Sequence, residues 1–488
     1  MPSLFRKLAI LLSNAAVLAG CTVGPNYGGA PQVAPLSTAR AAFQRAGDVP
    51  TNAADPVARW WTALGDPLLD RLIDEARATS PSLAIAEARL RQSRATLRQR
   101  ERDTAPNANA SAVYAHAELP EGIAESSGSS AIDFYNLGFD ASWEIDLFGG
   151  RRRGVEAARA NAGAVEARLA DAQVSLAAEL AQDYVRLRDQ QARLRLAQEA
   201  STLQGRMVSL TRQRFAGGTA SALDVERLRA QLETTQAGLV PLQTQVRTSY
   251  DQIAVLTGRE PGTLDAVLAP VGMVPLPPAQ VAVGDPAAML RRRPDVRAAE
   301  RALAASSAQI GVNVARMFPT VSLLGLIGFG GADPGDIVDP SALTVLAAPM
   351  LRWNFLNFGR VRAQVRGAEA ARDEAVAQYR QTVLAALQDA ESALTRFGGL
   401  RNNVAALQRA EASATRTAAL ARTRYAGGTA TLTESLDAER QRLSSSQSRI
   451  QAQAEMTNAF IALQKSLGLG WTDGWVAPEG AAVAKTAD

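Results

Sequence analysis

The sequence predicts an α+β membrane protein: a trimeric 12-stranded β-barrel, with four strands per chain, that is continued by a long α-helical coiled-coil barrel. Three observations predict this fold class. Sequence features recur at a constant spacing, so the chain consists of two tandem structural repeats. Two segments in each repeat alternate between apolar and polar residues, and a helical pattern then continues for about 65 residues.

The repeat is visible within the chain itself. The segment WEIDLFG around Trp143 recurs as WNFLNFG around Trp353, and RQRFAGGTAS recurs as RTRYAGGTAT, each 210 residues later. Each repeat is predicted to contain a helix, two strands, a long helix and a return helix. The predicted boundaries are 1–20 for a signal peptide, 21–58 for a lipidated linker, 59–270 and 271–475 for the repeats, and 476–488 for a flexible tail.

Each repeat begins with a predicted helix, over residues 82–103 and over residues 286–316, where Pro286 follows Asp285 as a first helical residue. The first strands, residues 107–118 and 320–329, alternate weakly. The second strands alternate more clearly. Their apolar positions are Tyr135, Leu137, Phe139, Ala141, Trp143, Ile145 and Leu147 in the first repeat and Leu343, Val345, Ala347, Leu351, Trp353 and Phe355 in the second. Polar, turn-rich segments between the strands predict exposed hairpin loops.

Long helices follow Gly149 and Gly359. Their pattern extends to Phe215 and Tyr425, which at 1.5 Å per residue predicts helices of roughly 95 Å. A glycine pair then ends each long helix, and return helices are predicted over residues 221–256 and 431–467.

Four amphipathic strands cannot remain alone in a bilayer, because their edge groups would lack hydrogen-bond partners. Two chains would give eight strands and a filled lumen, whereas three give twelve and an open pore. Charged residues on the polar face, Asp140, Glu144, Asp146 and Arg352, favour the open version. A soluble β-sandwich is the alternative. Trp143 and Trp353 suit either a membrane-interface belt or packing where strand meets helix.

The composition offers little material for enzyme chemistry. One histidine and one cysteine occur in 488 residues, which leaves no set for a metal site or a Ser-His-Asp or Cys-His nucleophile. His116 stands between two alanines, and we interpret it as an ordinary side chain. We expect no enzyme, no metal and no cofactor. The net charge of +4 gives no reason to expect nucleic acid.

The first twenty residues have a basic pair, an apolar run and small residues before Cys21, which predicts a secretory signal. Leu18-Ala19-Gly20-Cys21 also resembles the bacterial lipobox, so Cys21 is the predicted lipidation site; an unmodified cysteine is the alternative. Three acyl chains would anchor the chain stably. Thr22, rather than Asp, follows the cysteine, as in lipoproteins that are sorted to the outer membrane.

Several stretches together resemble the outer membrane efflux proteins, the TolC-like group, and especially its branch of RND-type efflux lipoproteins. These are CTVGPNY, WWTALGDPLLDRLI, RRPDVRAAE, IGVNVARMFPTVSL, both GGT turns and LGLGW. The resemblance covers nearly the whole mature chain. It implies a homotrimer in the outer membrane that contacts membrane lipids, with its helical barrel in the periplasm.

The resemblance also implies partners at the GGT turns. The two turns would form a periplasmic tip touched by a periplasmic adaptor (membrane fusion) protein, which meets an inner-membrane pump of the RND type. The tip positions are Phe215, Gly217, Gly218, Thr219, Tyr425, Gly427, Gly428 and Thr429. The alternative is that glycine and an aromatic side chain serve the turn alone.

In the family, a ring of carboxylates closes the tip. Asp224, Glu434 and Asp437 correspond to these gate positions, and crowding in a trimer is expected to raise some of their pKa values. Ala430 replaces a basic residue found in some relatives, which affects one latch contact. The alternative for Asp224 and Glu434 is an acidic residue in the first helical turn, where the helix dipole favours it.

The resemblance therefore predicts a passive exit duct of a tripartite efflux pump for drugs, toxic compounds or metals. Two alternatives are a duct for type I protein secretion and an anchored coiled-coil scaffold without a pore.

Overall fold

A computed structural model describes residues 22–52, 54–118 and 131–472. The predicted signal peptide, Cys21, the loop over residues 119–130 and the tail lie outside the described residues. The chain divides into two compact units. The sheet unit consists of Met1–Pro31, Arg89–Glu166 and Ala298–Arg380, and the hairpin unit consists of Gln32–Ala88, Ala167–Arg297 and Gln381–Asp488.

The sheet unit contains a four-stranded antiparallel sheet. Its strands are β1 (Asn107–Glu118), β2 (Ala131–Ile145), β3 (Thr320–Gly331) and β4 (Leu343–Arg352), in the order β1-β2-β3-β4. The central pairing of β2 with β3 joins the two halves of the sequence. The first strand has the bounds predicted from its pattern.

One face of this sheet has large apolar side chains that are exposed within the described residues. Phe139 pairs with Ile327, and Ile327 pairs with Val345, so the register aligns three large apolar side chains across three strands. These side chains are 63%, 51% and 66% exposed. The alternation therefore produces an amphipathic sheet, and these three side chains on its apolar face stay more than half exposed in the part of the chain that the structure describes.

Strand β4 ends earlier than the alternation predicts. Trp353 and Phe355 lie beyond Arg352, and Phe355 begins a short 3-10 helix, Phe355–Asn357. The neighbouring strand β3 explains why β4 ends at Arg352. Arg352 pairs with Thr320, and the preceding Pro319 has no N–H with which to continue the ladder.

Eight helices of seven residues or more occur in the described part of the chain. They are α1 (Pro67–Thr79), α2 (Pro81–Arg102), α3 (Gly150–Ala216), α4 (Ala222–Leu256), α5 (Pro286–Arg292), α6 (Pro294–Ala315), α7 (Phe358–Ala426) and α8 (Leu432–Ser466). The long helices α3 and α7 have 67 and 69 residues, close to the predicted length. None of the helices in the described ranges combines the length and the hydropathy that a membrane span requires.

The predicted single helix over residues 286–316 is wrong. The structure contains α5 and α6, separated at Arg293, whose ψ angle of 122° is extended. Pro294 is the cause, because a proline ring excludes the residue before it from the helical conformation. The same break occurs at Ser80 before Pro81, where the sequence analysis did not predict α1.

Candidate functional sites at the hairpin tips and the strand ends

Two identical turns close the helix hairpins of the hairpin unit. Gly218 and Gly428 have φ angles of +76° and +75°. The next backbone N–H in each turn donates to a helix carbonyl, from Thr219 to Arg214 at 2.8 Å and from Thr429 to Arg424 at 2.9 Å. This arrangement caps a helix C-terminus and requires a residue that adopts positive φ without strain, so the turn itself explains these two glycines.

The preceding glycines, Gly217 and Gly427, are not required by the turn. Neither has a positive φ angle. A Cβ atom on either would make ordinary contacts of 3.6 Å or more with backbone oxygens. Their backbone is exposed, so an approaching molecule could reach it closely.

The two tip aromatics have different surroundings. Tyr425 packs against a cluster of Val208, Leu228 and Leu432, and the guanidinium carbon of Arg214 lies 5.4 Å from its ring centroid. Phe215 is 49% exposed. The cluster draws residues from both hairpins, so the structure brings the two predicted tips together, and Phe215 remains available at their surface.

Two of the three predicted gate carboxylates cap helices. Asp224 accepts hydrogen bonds from the backbone N–H and hydroxyl of Ser221, at 3.2 and 2.7 Å, while the hydroxyl accepts from the Asp224 N–H at 3.1 Å. Glu434 forms the same capping box with Thr431. This is the first-turn role that the sequence analysis left as an alternative.

These caps lower the pKa of both carboxyl groups. Hydrogen bonds from the Ser221 side chain and backbone lower the pKa of Asp224, and those from the Thr431 backbone and side chain lower that of Glu434. The expected increase of some pKa values concerns the carboxylates of three assembled chains, so it stays a prediction. Asp437, one turn later, forms an exposed ion pair with Arg440 at 3.6 Å.

The lowered pKa values predict a pH dependence at the tips. A depressed folded-state pKa contributes stability that is present above the ordinary carboxyl pKa of about 4 and is lost as the pH falls through the lower folded value. We expect amide exchange in the first turns of α4 and α8, corrected for the intrinsic rate, to accelerate across that window. Ser221→Ala should accelerate it in α4 several-fold already at neutral pH.

Hydrogen-exchange mass spectrometry of the tip peptides measures this effect. The buried middle of α8 around Ile450 and Ala454 serves as the internal control, because it contains no capping box. Tip protection that stays constant through acidification and in Ser221→Ala would contradict the assignment.

Sequence reasoning missed a buried carboxylate near the second tip. Glu439 is 7% exposed and lies between Arg422 of α7, at 3.2 Å, and Arg442 of α8, at 2.7 Å. Its pairing with Arg442 raises the pKa of that arginine. The i,i+3 spacing of Glu439 and Arg442 was the available signal. This ion cluster joins the two helices of the second hairpin.

Sequence reasoning also missed that two motifs bind each other. We call this contact the arginine clamp, formed by Arg292 and Arg293 of RRPDV with the end of α8. Arg292 donates to the Leu467 carbonyl at 3.0 and 3.1 Å, and Arg293 donates to the Ser466 carbonyl at 2.7 Å. Gly468, with φ +71°, lies so close that a Cβ atom would be 2.8 Å from Cγ of Arg293. The clamp satisfies carbonyls that a helix end leaves free.

At the strand ends, both predicted interface tryptophans donate a hydrogen bond. Trp143 Nε1 donates to the Thr104 carbonyl at 3.0 Å, and Trp353 Nε1 donates to the Met317 carbonyl at 3.1 Å. Their rings are 37% and 48% exposed. Each tryptophan thus has a satisfied polar edge and a partly free apolar ring, at equivalent places after the two helices α2 and α6.

Three acidic residues at the polar sheet face have partners on the neighbouring strand or at the start of α3. Asp140 accepts from Asn109 at 3.1 Å, and Glu144 pairs with Arg151 at 2.8 Å. Asp146 accepts from the backbone N–H of Arg152 at 2.9 Å. A cleft of about 620 Å³ is lined by Glu144, Asp146 and Arg151, among other residues.

The family model of the outer membrane efflux proteins matches residues 72–259 and 286–469, which is most of the chain. The chain belongs to the outer membrane efflux protein family. It is similar to nodulation protein T of Rhizobium leguminosarum bv. trifolii, with 30% identity over 93% of this chain and 96% of that protein. It is also similar to outer membrane protein OprJ of Pseudomonas aeruginosa, with 29% identity over 94% and 95% of the two chains.

A solved structure of the outer-membrane channel OprN is similar at 35% identity, with a TM-score of 0.84, and the match covers 92% of this chain and 99% of that chain. The TolC-like helical and stranded fold is therefore confirmed for this efflux protein. The family consists of outer membrane channel proteins, so the prediction that the chain is not an enzyme is confirmed as well.

His116 of this efflux protein pairs with Asp133 at 2.8 Å on neighbouring strands. Across residues 22–52, 54–118 and 131–472, no group of three or more His, Cys, Asp or Glu residues could hold a metal ion. The pair is an ordinary cross-strand contact.

Proposed function

We propose that this outer membrane efflux protein is the channel subunit of a tripartite efflux pump, which passively conducts small molecules from the periplasmic pump assembly to the exterior. The observation that carries the proposal is the four-stranded amphipathic sheet, which has exposed apolar side chains and two edge strands within the described residues. The edges belong to β1 and β4. Unpaired edge groups cost several kcal/mol each, roughly, in hydrocarbon, so the sheet needs partners.

Three copies supply those partners. A homotrimer closes twelve strands by pairing β1 of one chain with β4 of the next, and the apolar face turns to the outer membrane lipids. Asp140, Glu144 and Asp146 then face a polar lumen. The partly exposed rings of Trp143 and Trp353 lie at the membrane interface, where an aromatic ring with a satisfied polar edge is favourable.

The chain consists of two structural repeats, residues 59–270 and 271–475, each built as helix, two strands, long helix and return helix. The matching turns at Gly218 and Gly428 and the matching indole hydrogen bonds support this division. The linker over residues 21–58 precedes the repeats, and acylation of Cys21 anchors it to the membrane.

The tips dock a periplasmic adaptor, which connects the channel to an inner-membrane pump of the RND type. Exposed Phe215 and the open backbone at Gly217 and Gly427 support this role, because the turn does not require them. Thr219 and Thr429 support the docking surface because their backbone N–H groups donate to the Arg214 and Arg424 carbonyls and so hold the turns in place. Their hydroxyls also donate to the Arg214 and Arg424 carbonyls, at 3.1 and 3.2 Å, which stiffens the docking surface.

The gate consists of Asp224, Glu434 and Asp437 from three chains. Glu434 and Asp437 bring six carboxylates to the narrow end of the pore, which attracts cations and repels anions. The capping boxes keep Asp224 and Glu434 ionised, since they lower both pKa values.

Single-channel conductance in planar bilayers tests the proposal. We expect discrete openings from the native protein, and a changed conductance with reduced cation preference from Glu434→Ala plus Asp437→Ala. The matched control is Glu260→Ala plus Asp265→Ala, which removes two carboxylates from the exposed connector after α4. If Glu434→Ala plus Asp437→Ala has the conductance and cation preference of the native protein, the gate assignment is wrong. Absence of conductance from inserted native protein would favour the scaffold.

A further inference from the structure

The residues directly after the predicted acylation site are held against the sheet unit. We call Thr22–Asn26 the strap. The Val23 N–H donates to the Phe148 carbonyl at 3.1 Å, where β2 has ended and α3 begins. Phe148 in turn stacks on Phe318, which precedes β3, with ring centroids 4.5 Å apart. The strap thus begins at the point where strands and helices of the unit meet.

One buried arginine holds three residues of the strap. Arg153, in the first turn of α3, is 4% exposed. Its guanidinium donates to the Val23 carbonyl at 3.3 Å, to the Gly24 carbonyl at 3.3 Å and to Asn26 Oδ1 at 2.5 Å, and it pairs with Glu156 at 2.7 Å. A planar guanidinium with five donors suits such a set of oxygens, and removing it would leave them unpaired.

Three glycines permit the close approach. Gly24, with φ +88°, lies against α6, where a Cβ atom would be 2.5 Å from Cα of Gly311. A Cβ atom on Gly311 would be 2.8 Å from Cγ of Arg153, and one on Gly149, whose φ is +77°, would collide with Thr22. The strap, α3 and α6 therefore approach one another closely at three places where a glycine leaves room.

The second half of the chain provides an internal comparison. Gly359 occupies the position of Gly149, but its φ is not positive, and a Cβ atom on it would contact no described residue outside its own helix within 4 Å. Ala363 stands where the first half has Arg153. The second strand-to-helix connection, which contains the 3-10 helix Phe355–Asn357, forms without these features, so we assign them to the strap.

We infer that the strap is a positioning device for the lipid anchor, in which Arg153 ties the acylated end of the chain to the strand-to-helix junction. The inference rests on the proposed acylation of Cys21. Its acyl chains are then held at one depth, beside the interface marked by Trp143 and Trp353.

The length of chain between the lipid anchor and the nearest held residue determines how far the anchor can move. With Thr22 held, a group on the preceding residue is about 3.8 Å, one Cα step, from a fixed point. Without the strap the next held residue is Tyr27, whose hydroxyl contacts Glu300 at 3.4 Å. Six extended residues reach about 20 Å, which is a large part of a hydrocarbon core of about 30 Å. The strap thus removes most of the freedom of the anchor.

Electron paramagnetic resonance of a spin label tests this device in the full-length protein in outer-membrane lipid vesicles. Pro25→Cys places the label on an exposed strap residue, and acylation leaves it the only free thiol. We expect an immobile label in the otherwise native protein and several-fold faster motion in Arg153→Ala and Gly149→Ala. Gly359→Ala is the matched control and should leave the label immobile.

Asn26→Ala is a milder change, which removes one hydrogen-bond acceptor of Arg153. It should increase the motion of the label partly, and it keeps the test decisive if the larger changes prevent assembly. Mass spectrometry of the amino-terminal peptide reports acylation independently. An unacylated Cys21 would overturn the anchor in the proposed function as well. An acylated chain whose label is mobile from the start, or equally immobile in all variants, would overturn the strap alone.

Discussion

Trp61→Ala is expected to lower the free energy of unfolding by about 3–5 kcal/mol, the cost typical of removing a fully buried aromatic side chain. Trp61 is completely buried in the hairpin unit. Its ring meets Trp60 edge-on at 5.7 Å, and the guanidinium carbons of Arg59 and Arg77 each lie 5.8 Å from its centroid. The truncation loses these contacts and opens a cavity that rigid neighbouring helices cannot fill.

Urea unfolding of the detergent-solubilised protein, followed by circular dichroism, measures this change. Trp61→Phe is the control, because it retains most of the packing. The Trp61 Nε1 group is buried without a hydrogen-bond partner, so its removal should cost little. Equal midpoints for the native protein and Trp61→Ala would show that this residue does not contribute to the cooperative core.

Arg293→Met is expected to cost about 2–4 kcal/mol, less than a fully buried ion pair because Asp295 and Asp389 are partly exposed. The substitution keeps the apolar stem but removes the guanidinium, which pairs with Asp295 at 2.6 Å and with Asp389 at 3.4 Å. It also leaves the Ser466 carbonyl without its donor. The arginine clamp would therefore open at the end of α8.

Arg291→Met is the matched control, since Arg291 directly precedes the RRPDV motif and is exposed. We expect a normal unfolding midpoint for Arg291→Met and a lowered one for Arg293→Met. Exchange of the amide protons around Leu467 and Gly468 should rise several-fold in Arg293→Met alone. Two variants with the same midpoint would rule out the clamp as a stabilising contact.

Local patterns were sufficient for many elements. The bounds of β1 and the two long helices followed from periodicity, and the turns at Gly218 and Gly428 followed from the glycine pairs. The break at Arg293 did not follow, although Pro294 was a sufficient local reason. The end of β4 depended instead on its partner, because a ladder stops where the neighbouring strand has no donor.

For the candidate sites as well, some features could be predicted from the sequence and others could not. The carboxylates Asp224 and Glu434 were identified from sequence, but their capping boxes and lowered pKa values depend on the geometry of the first helical turn. Glu439 was missed, because one of its partners, Arg422, lies on another helix. The different surroundings of Phe215 and Tyr425 could not be predicted either, since the two residues occupy equivalent positions in the sequence.

The sequence by itself determined the family, the order of the four strands and of the long and return helices, and the turns, because periodicity and glycine act over a few residues. Tertiary structure alone decided which distant segments meet: RRPDV with the end of α8, and the first residues after Cys21 with Arg153. These contacts join residues more than one hundred positions apart. Both contacts use backbone carbonyls and the space that a glycine leaves. Carbonyls and glycines occur throughout the chain, so only the folded structure determines which of them meet.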